Sequence, residues 1–441
     1  MKTNKNLLLS ITLLSAINII SQNNIKETKY RRSSLELILI ESESFPKKES
    51  VMKAWNNYPF PDKYNKHDVN SSTLNPLKYI ISDEDRLQSG KKNDSKFSSM
   101  AKGSASKATS GVVDTDESDM PLKIDKYIKE NNLAKKIVAK WFNRKPNGDM
   151  DYELIKERGN YSASEKDKEI ANNVADATDF LFDEDLIGNT FIVFSKLKFV
   201  ENEPIARAIR DAALSKTKDM KVEAAKQKAV DVANSVYEKA KEGYSVWTTS
   251  WLYQLEWNQL ISENFKSSFL NSNVKGAAIW DTTSLFKLKL VGSEKSQSLV
   301  TFSLKEKRTE DQIINLAVVR NVDNVFAKLQ SSYAVFRPVT PIASVGPITA
   351  QIGLKEGLMP GNSFEILESQ KDKKTGQYKY VKIGSVKVDK KLTVWDNRFG
   401  AVESESSVDE KGNPIVLPKY TTFSGGGKDV FPGMHFLRLK K

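Results

Sequence analysis

The chain has 441 residues, with 68 Lys+Arg against 56 Asp+Glu, two histidines and no cysteine. The absent thiol excludes disulfides, cysteine-ligated zinc, iron–sulfur clusters, thiol nucleophiles and lipid attachment through cysteine, and two histidines give no basis for a histidine-rich metal centre. The length asks for two or three domains, and 39% hydrophobic residues argue for folded cores over a disordered chain.

Lys2 and Lys5 precede an apolar run from Leu7 to Ile20, and Ser21-Gln22 then opens a polar stretch. That order is the layout of a secretory signal peptide over residues 1–22, and the run is shorter than the ~20 apolar residues of a spanning helix. Removing it leaves a net charge of about +10, from +12 less the two lysines. An exported basic protein does not meet nucleic acid. Its excess lysine suits lipid headgroups or anionic surface polymers, or is simply a solvated surface.

Residues 23–86 form an aromatic, proline-marked extended segment carrying Trp55, Tyr58, Phe60 and Tyr64, with Pro59 and Pro61 forbidding regular helix. These four aromatics are the candidate interaction residues, expected either to fold back on the body or to dock in a partner's groove. Residues 87–118 are rich in Ser, Lys, Gly, Asp and Ala and read as a flexible linker.

A mixed α/β domain is expected over 119–340. Apolar spacing predicts helix between Leu122 and Phe142, near Asp151–Arg158, over Lys168–Phe182, over Asp219–Lys241 and over Glu310–Tyr333. Strands are expected at Asn189–Phe199, Tyr244–Trp257, Leu285–Val291 and Leu299–Leu304. The stripe Val222, Ala225, Ala229, Val232, Val236 and Ala240 is thin, which predicts a helix laid over a sheet face. From 341 to 441 the signals change to short strands at Ile348–Ile352, Ser363–Leu367, Tyr378–Val388, Leu392–Trp395 and Met434–Leu439, split by Gly and Pro turns. The fold class is therefore α+β, a mixed α/β body followed by a small all-β barrel or sandwich module.

Five stretches carry a resemblance. Leu133-Ala-Lys-Lys-Ile-Val-Ala-Lys-Trp-Phe-Asn143, with Glu157-Arg158-Gly159 and Leu186–Phe191, resembles a family of secreted envelope proteins of Bacteroidota. The segment Tyr58–His67 and the motif Ile352-Gly-Leu-Lys-Glu-Gly-Leu-Met-Pro-Gly-Asn-Ser-Phe364 are similar to theirs as well. The latter also resembles, more weakly, the small β-module of flagellar-assembly T-type and curli-secretion-related proteins. The resemblance implies a lineage and an envelope location and transfers no catalytic residue.

Other motifs bear on chemistry. Ser424-Gly-Gly-Gly-Lys428 is not a phosphate loop, because Thr422 replaces the first glycine and Asp429 the magnesium-binding hydroxyl. Asp183-Glu184-Asp185 could supply paired carboxylates but reads as a charged turn. His67 with Asp68 could form a base and its orienter, yet the proline-rich segment offers no water-excluding walls. His435 fits a surface or satisfied core histidine, and the Trp247–Trp257 run fits core better than a sugar platform. No catalytic, metal or cofactor residue is assigned. The expected role is an exported non-enzymatic envelope protein in assembly, scaffolding or adaptor binding, in the periplasm or at the surface, partnered by an envelope protein or an anionic surface polymer. The rival readings are an envelope glycan or peptide hydrolase whose carboxylates meet on folding, and a binder of anionic polymers. No transmembrane segment is expected after signal removal.

Overall fold

The computed structural model describes residues 33–71, 73–89, 117–162, 184–218, 220–270, 275–300, 309–337, 339–371, 378–392, 394–399, 419–426, 430–433 and 435–440. The signal-peptide segment, most of the 87–118 tract and the Lys168–Phe182 helix signal lie outside the described residues. No helix among those described is long and apolar enough to cross a membrane.

Five strands build the body: β1 (Ser33–Ile40), β2 (Tyr64–Lys66), β3 (Thr190–Glu201), β4 (Tyr244–Leu255) and β5 (Leu288–Val300), in the order β2-β1-β3-β4-β5. β2, β1 and β3 run parallel, and β4 and β5 continue antiparallel. β1 lies inside the stretch read as an extended arm, yet it is an interior strand. Its sequence, Ser-Ser-Leu-Glu-Leu-Ile-Leu-Ile, is nearly continuous in apolar residues because both of its faces are covered. Strand β5 takes in Leu288–Val291 of the first expected strand and Leu299–Val300 of the second, the rest of which lies outside the described residues. Within β5, Gly292 makes room for the Tyr333 ring, which a Cβ there would meet at 2.2 Å.

The helices described are α1 (Lys48–Asn56), α2 (Asp83–Gln88), α3 (Met120–Glu130), α4 (Leu133–Trp141), α5 (Glu153–Ser162), α6 (Glu184–Gly188), α7 (Asn202–Thr217), α8 (Glu223–Ala240), α9 (Gln259–Phe265), α10 (Lys275–Thr282) and α11 (Glu310–Ser332). Several of them close over the two sheet faces. Ile38, Ile192, Phe194, Trp251 and Tyr253 point to one face, where α3, α4 and α9 close over them with Ile124, Ile137, Trp141 and Phe265. Leu35, Phe191, Val193 and Leu252 point to the other, where α11 brings Ile314, Val318, Val322, Val325 and Leu329. Alternate residues of one strand thus feed two separate cores. A Thr309/Gln312 capping box starts α11.

The C-terminal module is a closed six-stranded barrel. β6 (Val339–Ser344), β7 (Ile348–Ala350), β8 (Ser363–Lys371), β9 (Tyr378–Val388), β10 (Thr421–Gly425) and β11 (Phe436–Leu439) close in the order β10-β7-β6-β11-β8-β9. Phe364, Ile366, Val386, Phe423 and Leu437 fill its interior, so it is a packed core. Two readings change here. Leu392 and the residues described up to Trp395 form no strand, whereas Thr421–Gly425, where no strand is expected from the sequence, supplies the strand that closes the barrel.

Because β1 is flanked by β2 and β3, a chain cut at an engineered protease site between residues 90 and 116 should keep its two pieces together. Co-elution in gel filtration, with separation only in denaturant, is the expected result. A piece beginning near 117 that elutes alone and folded would contradict the sheet order.

Candidate functional site

The four candidate aromatics are brought together on the α11 side of the sheet. Trp55 ends α1 and stacks on Tyr58 at 6.2 Å, while Tyr64 opens β2, is buried, and stacks on Phe336 at 5.3 Å. Phe60 packs partly buried against the same cluster. Two of the hydroxyls are anchored on α11: Tyr58 Oη donates to Asp323 Oδ1 at 2.7 Å, and Gln330 Nε2 donates to Tyr64 Oη at 2.8 Å. Burial pushes the Asp323 carboxyl above its ordinary value, with Lys355 opposing, and burial beside Asp323 pushes the Tyr58 phenol well up.

The barrel meets the body at this place. Gly353 precedes a 3₁₀ turn, Leu354–Glu356, and Gly357 follows it at φ 75°. Both glycines are forced by proximity. A Cβ on Gly353 would fall 2.2 Å from the Trp395 carbonyl, and one on Gly357 would fall 3.0 Å from Ala327 Cβ on α11. Buried Glu356 accepts from Gly353 N at 2.8 Å and Asn397 Nδ2 at 2.9 Å, and burial raises its pKa. The Ile352–Leu358 motif therefore forms the joint between barrel and body. Beside it lies a cleft of about 20 Å³ lined by Tyr58, Asp323, Gln330 and Lys355. That is room for one water, not for a sugar ring or a peptide.

A second polar cluster lies on the opposite sheet face. His67 is fully buried, which corrects the expectation that its segment offers no water-excluding walls. Trp141 lies 5.3 Å from its ring, and Ile137 O lies 3.0 Å from Nε2. Arg158 Nη1 donates to His67 Nδ1 at 2.5 Å and to Ser34 Oγ at 2.7 Å, and its guanidinium sits 4.9 Å over Trp141. These partners fix the tautomer: Nε2 carries the proton and Nδ1 accepts. Burial and then the Arg158 charge hold the imidazole well below its ordinary pKa, so it stays neutral. Asp68 is not its orienter. That carboxylate accepts from Asn70 N and pairs with Lys66 at 3.5 Å. His435 is also buried, with Nδ1 accepting from Phe431 N at 3.0 Å.

Glu36, on β1 in the same region, is only 6% exposed and leaves Oε2 without a hydrogen bond. Burial, then the Asp68 charge, push its carboxyl up to about 8, with Lys66 and Lys140 opposing. The His67–Arg158 set is tied up inside the fold, while Glu36 is buried with one carboxyl oxygen unmatched. No group of three or more His, Asp or Glu suited to a metal occurs among the described residues.

One surface that stays open is the α7–α8 hairpin, inserted between β3 and β4. Asn202 staples its base: its N–H donates to Gly243 O at 3.1 Å, its side chain donates to Glu242 O at 3.0 Å, and Ser245 Oγ donates to its Oδ1 at 2.7 Å. Beyond the base, α8 packs chiefly on α7, and Ala233 is its only buried residue. The expected sheet-covering role of this helix is therefore corrected. The half-buried or buried positions Lys226, Ala229, Val230, Ala233, Tyr237 and Ala240 mark the side that packs, so of the expected stripe only Ala229 and Ala240 are partly covered, while Val222, Ala225, Val232 and Val236 are exposed. Val222, Val232 and Val236 are 63%, 55% and 50% exposed, and Ile209 on α7 is 43% exposed.

The Tyr244–Trp257 aromatics serve mainly as core: Trp251 and Tyr253 are buried, and Trp257 packs against Phe265 and Phe286. No family model matches the chain, and no curated protein is significantly similar to it.

Glu36 sets a pH signature. The native chain keeps a proton that the unfolded chain releases above about 4.5, so stability is full below that pH and falls as pH rises to about 8. Thermal melts should show Glu36→Gln raising Tm over wild type at pH 8, with the difference shrinking toward pH 4. A difference independent of pH would mean that Glu36 does not carry the slope.

Proposed function

We propose that this chain is an exported, non-enzymatic protein of the cell envelope, of a lineage resembling secreted Bacteroidota envelope proteins, and that it acts in assembly or scaffolding by docking through the α7–α8 hairpin. One observation carries the reading. A helix pair fixed at its base by Asn202 presents a continuous apolar face that the rest of the described chain leaves uncovered. Exposed aliphatic area of this kind is costly to keep in water and marks a surface that is covered in use.

The remaining architecture suits a platform. Body and barrel share α11, through Asp323 and Gln330 on one side and Ala327 on the other, so the hairpin stands on a stiff base. The hydrolase alternative calls for carboxyls opening on a substrate-sized cleft. Asp323 instead pairs with Tyr58 beside a space for one water, and Glu356 is spent on its own turn. Residues 1–22 supply the export signal in this reading, with the basic-apolar-small order as support.

The test replaces two exposed valines. Val232→Glu with Val236→Glu should leave Tm nearly unchanged, since exposed substitutions cost about 0.5 kcal/mol or less. Fractionation of the source cells should move the double variant from envelope to soluble fractions. Unaltered envelope association of a stably folded variant would remove the hairpin, and with it this reading.

A further inference from the structure

Charge is distributed unevenly around the hairpin. Helical periodicity places Lys228 and Lys239 along the outer border of the Ala225–Val236 stripe, Lys221 and Val222 lie just before the first turn of α8, and all three lysines are exposed. The acids of α8 fall on the far side and are engaged there: Glu223 pairs with Lys226, Glu238 pairs with Lys241, and Asp231 accepts from Gln227. Across the antiparallel pair, Ile205, Ile209, Ala212 and the exposed Lys216 come to the same side as the stripe. One whole face of the hairpin is thus aliphatic with lysine borders and carries no acid.

That pattern decides among occupants. A second copy meeting this face would set lysine borders against lysine borders, which opposes self-docking. A specific protein partner is usually gripped by aromatic or arginine anchors. This face has neither, because Arg207 is paired with Glu203 and Arg210 lies over Tyr237. Small aliphatic residues flanked by mobile ammonium groups match a surface that is apolar in its depth and diffusely negative at its rim.

We infer that the α7–α8 face docks on an anionic lipid leaflet, with Val222, Val232, Val236 and Ile209 entering the acyl boundary and Lys216, Lys221, Lys228 and Lys239 meeting phosphate headgroups. The inference rests on the docking role proposed above and names what is docked. A single hairpin of this size gives reversible attachment, strengthened by headgroup charge and weakened by salt.

The full exported chain is mixed with phosphatidylglycerol-containing vesicles or with pure phosphatidylcholine vesicles and floated on a gradient. Flotation with the anionic vesicles, lost at raised salt and absent with phosphatidylcholine, is expected. Val232→Glu/Val236→Glu should reduce the floated fraction by about tenfold, and Lys221→Glu/Lys228→Glu should do likewise at unchanged Tm. Equal flotation with neutral vesicles, no flotation of wild type, or variants that float like wild type would overturn the lipid assignment. Failure on vesicles together with loss of envelope association on valine substitution would point to an acidic protein partner, leaving the docking role standing. A dimer in sedimentation that the valine variant abolishes would equally overturn it, in favour of a second copy.

Discussion

Helix α11 is the element on which both halves of the protein depend. Its apolar side buries Ile314, Val318, Val322, Val325 and Leu329 against one sheet face. Its next face reaches the N-terminal aromatics through Asp323 and Gln330, and Ala327 receives the barrel's turn at Gly357. Asn321 adds a buried amide that donates to Val246 O at 2.9 Å and Thr248 Oγ1 at 3.1 Å, tying the helix to β4. Just past its end, Tyr333 Oη donates to the Ser293 carbonyl and accepts from the Ser293 N–H, so it covers part of the open edge of β5. One helix thus serves as core, strut and edge cover.

The two buried polar clusters are the cost of assembling that arrangement from distant segments. Arg158 is held by neutral acceptors and the Trp141 ring, and Glu36 keeps its proton because its surroundings cannot solvate a carboxylate. Removing one partner from such a set leaves another buried and unmatched, which makes them determinants of register and not a store of surplus stability.

Much of the fold was legible in the sequence because its signals are local. β3, β4, α8, α11 and most barrel strands follow from periodicity and turn residues near their observed bounds. What was hidden is long-range. Nothing local in Ser33–Ile40 says that the strand pairs with Thr190–Lys196, some 150 residues on, although the Leu37–Ile40 apolar run was the available signal. His67 looked exposed because proline-rich neighbours suggest an open segment, and its walls, Trp141 and Arg158, come from elsewhere in the chain. The α8 stripe misled for a different reason. Periodicity reports which residues share a face, not whether the chain itself covers that face, and Val232 and Val236 are left to solvent. The same mismatch marks the surface proposed for docking: a core-like pattern with no core on it.

The absence of cysteine makes a direct measurement simple, since a single introduced thiol is the only labelling site. Val232→Cys carrying an environment-sensitive fluorophore, mixed with envelope vesicles from the source cells, should show a blue-shifted and brighter emission as the hairpin face leaves water. The same dye at Lys387→Cys on the barrel should stay unchanged. A shift at the barrel position with none at position 232 would contradict the account and move the docking surface to the other end of the molecule.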